Sequence, residues 1–343
     1  MDMLTPARTW GVNDHKHTHP PELLERMRWP QRIAMLATVI LPFLGFLGAI
    51  ALLWHRQDGI FGIGWGEMIV MIVMYSIAGF GVTIGYHRLL THKSFDCPRW
   101  VRLTLAIFGS SAAQGMTIRW VATHRRHHQL ADKDGDPHSP HTHGFDGLRG
   151  LIAGLWHAHI GWTFDADRPD LVRSIPDLMA DKAMLFIDQF YLLWVALGIF
   201  VPAIALGLYD GTWEGFLAGM IWGGLLRIFL MLHVTWSINS VCHVFGTRPF
   251  ANADHSTNNF PIALVSLGEG WHNNHHAFPT SARHGLRWWQ FDSSYCIIKA
   301  MSWVGLASNV RVPGEAAMQA KLKKPASTTN APIIASPQSS EGL

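Results

Sequence analysis

The sequence predicts an all-α integral membrane protein, with four transmembrane helices in two hairpins beneath a cytoplasmic helical cap. Three observations carry this. Hydrophobic residues make up 49% of the 343 and charged residues only 15%, whereas soluble domains carry about a quarter charged residues. Apolar runs at about 32–54, 63–86, 184–209 and 213–236 each reach the ~20 residues that cross the hydrocarbon layer. Trp29, Trp54, Trp65, Trp213 and Trp236 lie at the ends of these runs, as an interfacial aromatic belt requires.

In chain order, residues 1–28 form a polar lead with a short helical patch, PELLERMRW, beside the first span. Residues 29–310 make the membrane domain. The turns at 57–62 and 210–212 are brief, so each joins two antiparallel spans. Between the hairpins, the run 101–116 contains Ser110, Ser111 and Gln114 and is interrupted by Gly109. It is too short to span and is expected at the interface or buried against the protein. The run 148–162, bearing His157 and His159, reads the same way. Residues 237–309 are mixed polar and aromatic. The Ser/Pro/Ala/Lys-rich tail, 311–343, is expected to be disordered.

Basic residues flank the long connections: Arg26, Arg28 and Arg32 before the first span, and Arg88, Lys93, Arg99 and Arg102 after the second. The positive-inside rule then puts both termini on the cytoplasmic side. A net charge of only +3 argues against nucleic-acid binding. Cys97, Cys242 and Cys296 are scattered and never in CxxC spacing, which excludes a thiolate zinc site and a disulfide framework.

The chemistry lies in three histidine clusters, all on that same predicted side. They are His87 and His92 in HRLLTH, His124, His127 and His128 in HRRHH, and His272, His275 and His276 in HNNHH. Neutral imidazole is a ligand for first-row transition metals, and eight are more than one ion can use. They suit two ions of four or five ligands each. The i, i+3, i+4 spacing of HRRHH and HNNHH puts three imidazoles on one helical face, where one turn offers all three to a common centre. The i, i+5 pair His87 and His92 would splay apart on an ideal helix. Either the helix end unwinds there or the two serve different ions. His15, His17, His19, His55 and His284 stand outside the clusters and read as solvated histidines.

HRLLTH, HRRHH and GEGWHNNHHAFP, with DPHS (136–139), HIGW (159–162), NSVCH (239–243) and GTRPF (246–250), resemble the membrane fatty-acid desaturases of the stearoyl-CoA and bacterial Δ9 type. The likeness runs from about residue 65 to 295, and HAFPTSARHGLRWWQFD is similar to bacterial members, which implies a bacterial inner (plasma) membrane. The resemblance implies a ninth ligand, His243, with Asn239 one turn earlier holding a metal-bound water. It also implies two iron ions, O2 as co-substrate, and a cis double bond formed in a long saturated acyl chain carried as an acyl-CoA or an acyl-lipid. Residues expected to orient the imidazoles from behind are Asp136, Glu269, Asp254 and Asp96, while Trp120, Trp162, Trp271 and Thr235 are expected walls of an acyl channel.

Two departures qualify that picture. Animal acyl-CoA members carry a basic pair after the HVGW-like run; here HIGW is followed by Thr163, Phe164, Asp165, Ala166 and Asp167. Acidic residues repel a polyphosphate, leaving Arg119, Arg125, Arg126 and Arg173 to serve it. No fused electron-transfer module is visible, so a separate ferredoxin, rubredoxin or cytochrome b5-type donor, with its reductase, is expected. It could dock on basic residues such as Arg125 and Arg126. The rival readings are a di-iron fatty-acid or alkane hydroxylase and, from another class, a histidine-rich metal transporter. A transporter would carry its ligands within the spans along a path, whereas here the clusters cap them.

Overall fold

A computed structural model describes residues 33, 36–51, 64–142, 147–164 and 171–322. Among these the protein is helical, with only isolated β-bridges. Three helices are long and apolar enough to cross a membrane: α2 (Trp65–Thr91, 27 residues), α7 (Tyr191–Asp210, 20 residues) and α8 (Trp213–His243, 31 residues). A fourth apolar helix, α1 (Leu36–Ala51), is shorter; apart from Ile33, the rest of the expected span 32–54 lies outside the described residues.

The boundaries differ from the sequence reading in an informative way. α2 and α8 run past 86 and 236, ending at Thr91 and His243. The polar ends that hydropathy excludes are carried on as helix because the protein buries them: His87, Arg88 and His243 are each 5% exposed or less. The expected span 184–209 is two helices, α6 (Lys182–Gln189) and α7, separated at Phe190. Arg88 is no flanking surface charge, since its guanidinium is fully buried between Glu269 and Asp292.

Apolar side chains on the outer faces of the spans are exposed, among them Leu41 and Leu44 on α1, Ile69 and Ile72 on α2, and Leu192, Phe200 and Ile204 on α7. A lipid-facing surface accounts for that exposure. Trp65, Tyr209 and Trp213 are exposed together where α2 and α8 begin and α7 ends. Trp236, expected in the aromatic belt, is instead buried with Ile228 and Leu232.

α3 (Arg99–Ser110) lies against the second half of α2. Their close approach depends on glycine: a Cβ on Gly81 would collide with the backbone of Phe108 and Gly109, and one on Gly109 would strike the Tyr86 ring. α7 and α8 form a hairpin through Gly211, whose φ of 66° is left-handed; Thr212 caps α8 by accepting from the Gly215 N–H at 3.0 Å. Arg227, fully buried in α8, donates to the carbonyls of Ser111 (2.6 Å), Gly198 (2.7 Å) and Gly223 (3.2 Å), tying three segments together.

α4 (Thr117–Leu130) and α5 (Gly147–His159) follow α3, and α9 (Phe260–Val265), α10 (His272–Ala277) and α11 (Ser293–Trp303) follow α8. With the polar ends of α2 and α8, α4 and α10 enclose the histidines. The described part of the expected tail is ordered: α12 (Glu315–Lys321) is helical, the Lys321 ammonium donates to the Ala277 carbonyl at 2.5 Å, and Leu322 bridges to Phe250. Residues 323–343 lie outside the described residues.

Candidate metal centre

The nine histidines meet in two groups. His87, His92, His124, His128 and His275 form the first; His127, His243, His272 and His276 form the second, with ligand atoms within 4.8 Å of one another in each. The helical triplets therefore do not serve one centre each. In HRRHH, His124 and His128 enter the first group and His127 the second; in HNNHH, His272 and His276 enter the second and His275 the first. Residues four apart share a face, and the residue between them turns toward the neighbouring group. Each triplet bridges both centres.

The i, i+5 pair is explained by neither expected alternative. Residues 81–91 of α2 form a π-helix, continued by the bond from the His92 N–H to the His87 carbonyl at 3.1 Å. A π-turn bonds i to i+5, so His87 and His92 come together edge to face instead of splaying, with ring centroids 4.7 Å apart. Both belong to the first group.

The Nε2 atoms point inward. They approach at 3.1 Å for His87 and His275, 2.9 Å for His275 and His128, 3.1 Å for His128 and His124, 3.0 Å for His243 and His272, and 3.4 Å for His127 and His276. Two nitrogens each about 2.1 Å from one ion, at about 90–110° to one another, stand about 3.0–3.4 Å apart. The donor sets therefore fit transition-metal ions. The buried His92 Nε2 has no hydrogen-bond partner, as an atom reserved for a ligand bond would not.

Carboxylates behind the rings fix this orientation. His127 Nδ1 donates to Asp136 at 2.9 Å, His243 Nδ1 to Asp132 at 3.0 Å and His276 Nδ1 to Asp254 at 3.0 Å, while His87 Nδ1 lies 2.8 Å from a Glu269 oxygen. A proton held on Nδ1 leaves the Nε2 lone pair free to bind. Burial, reinforced by neighbouring imidazoles, pushes His92, His124, His128, His272 and His275 well below the usual imidazole range. His127 moves the other way: its burial is outweighed by Asp136, with Asp132 and Asp254 adding to it.

Asp132 escaped the sequence reading. It follows α4 with a left-handed φ of 59°, a conformation in which Asp is enriched, and it precedes Asp136 by four residues. Spacing from the histidines was the available signal, since Asp132 stands four residues after His128 and Asp136 eight after it. His284, read as solvated, is fully buried and its Nδ1 lies 3.0 Å from Glu269. Asp96 is remote from the histidines, bridging to Ser308 and accepting from Asn309 at 2.7 Å.

An apolar cavity opens against both groups. Val82, Met231, Val234, Ile238, Val265 and Leu267 line it, together with Trp120, Thr235, Asn239, His87, His124, His272 and Glu269. Trp120 and Thr235 are among its wall residues, and Thr235 accepts from Gln114 at 2.7 Å. Trp162 and Trp271 are not: Trp162 packs edge-on against His138, and the Trp271 indole donates to the Phe291 carbonyl at 2.8 Å. Asn239 faces the cavity one turn before His243.

The family model described as fatty acid desaturase matches residues 63–301. The chain belongs to the fatty acid desaturase family. It is 40% identical over 283 residues to a hex-5-enoyl-[acyl-carrier protein] acetylenase of Moorena producens, covering 82% of this chain and 87% of that protein. It is 38% identical over 275 residues to an acyl-CoA C20 Delta5-desaturase of Anemone leveillei, covering 79% and 81%. The same identity extends over 252 residues of an sn-1 stearoyl-lipid 9-desaturase of Anabaena variabilis, covering 72% and 85%. As a desaturase the chain is an oxidoreductase, and the histidine groups at the mouth of an apolar cavity suit it to that chemistry.

Proposed function

We propose that this desaturase uses two iron ions to introduce a cis double bond at the Δ9 position of a long saturated acyl chain, presented as an acyl-CoA or an acyl-lipid. The observation that carries the reading is the apolar cavity ending on His87, His124 and His272, beside both histidine groups. Overall, the methylene pair, O2, two electrons and two protons give the olefin and two waters. His87, His92, His124, His128 and His275 would hold one ion, and His127, His243, His272 and His276 the other, with Asn239 holding a water at the second. The bound iron supplies the O2-dependent oxidising power that no side chain has. The chain's own residues do the rest. Val82, Met231, Val234 and Leu267 exclude water and fix the alkyl chain, and the carboxylates behind the rings hold the imidazoles in the binding tautomer.

The acyl carrier follows from less. Relatives are named for acyl-CoA, acyl-lipid and acyl-carrier-protein substrates. Arg125, one candidate for a coenzyme A phosphate, is bound bidentately to Asp177 at 2.8 and 3.0 Å and donates to the Leu90 and Ser174 carbonyls. Its role is to lock α4 in place, and the same bonds withdraw it from a docking patch for an electron donor. Asp165 and Asp167 lie outside the described residues. The reading retains four spans, with α1 the core of the first, the histidine face and termini cytoplasmic in a bacterial inner membrane, and a separate ferredoxin, rubredoxin or cytochrome b5-type donor.

Expression in a desaturase-deficient host, followed by lipid mass spectrometry with double-bond localisation, tests this. A new Δ9 olefin, absent from His127→Ala and His275→Ala variants, is expected. Hydroxylated chains without olefin, or olefin persisting in both variants, would overturn it.

A further inference from the structure

The two histidine groups are alike in ligand atoms and unlike in the charge behind them. In the second group, three of four imidazoles are backed by aspartates: His127 by Asp136, His243 by Asp132 and His276 by Asp254. The other donors to these carboxylates are neutral. Asp132 accepts from the Ser139 hydroxyl and the His255 N–H, both at 2.6 Å; Asp136 from the Asp132 N–H at 2.8 Å and the His138 N–H at 3.2 Å; Asp254 from the N–H and hydroxyl of Ser256. Arg248 comes near, but it donates to the backbone carbonyls of Asp254 and Asn252.

The first group is arranged otherwise. Of its five imidazoles only His87 has a carboxylate behind it, Glu269, and among the described residues none pairs with His92, His124, His128 or His275. Glu269 is itself neutralised: Arg88 donates to it from Nε at 3.1 Å and NH2 at 3.0 Å, and Arg88 also holds Asp292. Among the described residues, three carboxylates paired with no Lys or Arg thus stand behind the four ligands, against one arginine-paired carboxylate for the five.

We propose that the two centres bind metal unequally, with Asp132, Asp136 and Asp254 making the His127, His243, His272 and His276 centre the tighter one, which fills first. This rests on the reading of the histidines as metal ligands and adds an order of loading and the residues that set it. The physical reason is twofold. A carboxylate on Nδ1 makes the imidazole a stronger donor, and its charge attracts the cation through a buried, weakly screening medium. Such outer partners change metal affinity by about 10–100-fold each. The aspartates are positioning residues, touching the imidazoles and not the substrate.

The test is titration of metal-stripped, full-length protein in detergent with Co2+, read by its visible absorption and by competition with a chromophoric chelator. Two phases at least about 10-fold apart are expected, the tighter lost in His272→Ala and kept in His92→Ala. Asp254→Asn, at a partly accessible position, should weaken the tighter phase by about 10–100-fold and leave the weaker one in place. Glu269→Gln should move only the weaker phase. Circular dichroism and melting of the metal-free variants separate a loss of affinity from a loss of fold. Equal affinities in the parent protein, a tighter phase that vanishes with His92→Ala, or an Asp254→Asn titration unchanged in a folded protein would overturn the inequality. Absence of both phases would overturn the metal reading itself.

Discussion

At the scale of single residues, the site is a set of imidazoles, several with their direction imposed from behind by carboxylates. Glu269 illustrates the cost of losing one such group. It accepts from Arg88 and lies within 3.0 Å of His87 Nδ1 and His284 Nδ1, in a space nearly closed to solvent. Glu269→Gln keeps the shape but cannot satisfy all three, so product formation should fall by about 10–100-fold while the protein still inserts and folds; unchanged turnover in the host assay would contradict this role. Acid acts on the same residues. Because burial lowers the folded-state values of His92, His124, His128, His272 and His275, protons compete with metal at these five only below the ordinary imidazole value of about 6.5, whereas His127, raised by Asp136, takes a proton at higher pH. The five lowered groups stabilise the metal-free fold fully above that value, and their contribution is lost as pH falls through the lowered ones. Metal retention at the group of His87, His92, His124, His128 and His275 should therefore be flat after dialysis from about pH 8 to 6.5 and decline below it; a decline already complete there at pH 6.5 would refute the assignment.

At the scale of elements, the π-helical end of α2 and the contact between α2 and α3 decide whether the first centre forms. The wide turn brings His87 and His92 together, and it presses against α3 where Gly81 and Gly109 leave no room for a Cβ. Gly109→Ala should cost about 1–3 kcal/mol through overpacking and reduce metal content at the first centre more than the second, as melting and metal analysis would show. Arg227 is the corresponding feature in α8. Replacing it by Leu leaves three buried carbonyls without their donor. Since hydrogen bonds to charged groups contribute about 1.5–3 kcal/mol each, a loss of at least about 2 kcal/mol is expected. A melting temperature within a degree of the parent would show that lipid or water replaces those bonds.

At the scale of the whole molecule, the cavity joins the spans to the histidine groups, because its walls come from α2, α4, α8, α9, α10 and the segment between the last two. Val265 is partly exposed on α9 and can be enlarged without disturbing the core. Val265→Trp should narrow the cavity, cutting the yield of long-chain olefin several-fold with metal content unchanged. An unaltered product profile would place the acyl chain elsewhere.

Much of this was legible in the chain. The apolar runs marked α2, α7 and α8 because crossing a bilayer leaves a compositional signature about 20 residues long. The clustering of His87, His92, His124, His127, His128, His272, His275 and His276 pointed to a metal site, since ligand excess and local spacing are properties of sequence. Asp136 and Glu269 stand among the expected partners of the imidazoles, and Trp120 and Thr235 among the expected channel walls. What sequence could not determine was everything that depends on contacts distant along the chain. Helical periodicity gathers a triplet onto one face, but it does not say that His127 and His275 turn to the opposite group from their neighbours. An i, i+5 pair is ambiguous until packing against α3 accompanies a π-turn. Asp132 and His284 look like surface residues until α8 and Glu269 cover them, and Trp271 looks like a channel wall until its indole finds Phe291. Composition and spacing are local and survive in the unfolded chain. The division of ligands between centres, and the charge behind each, exist only once segments more than 100 residues apart are packed together.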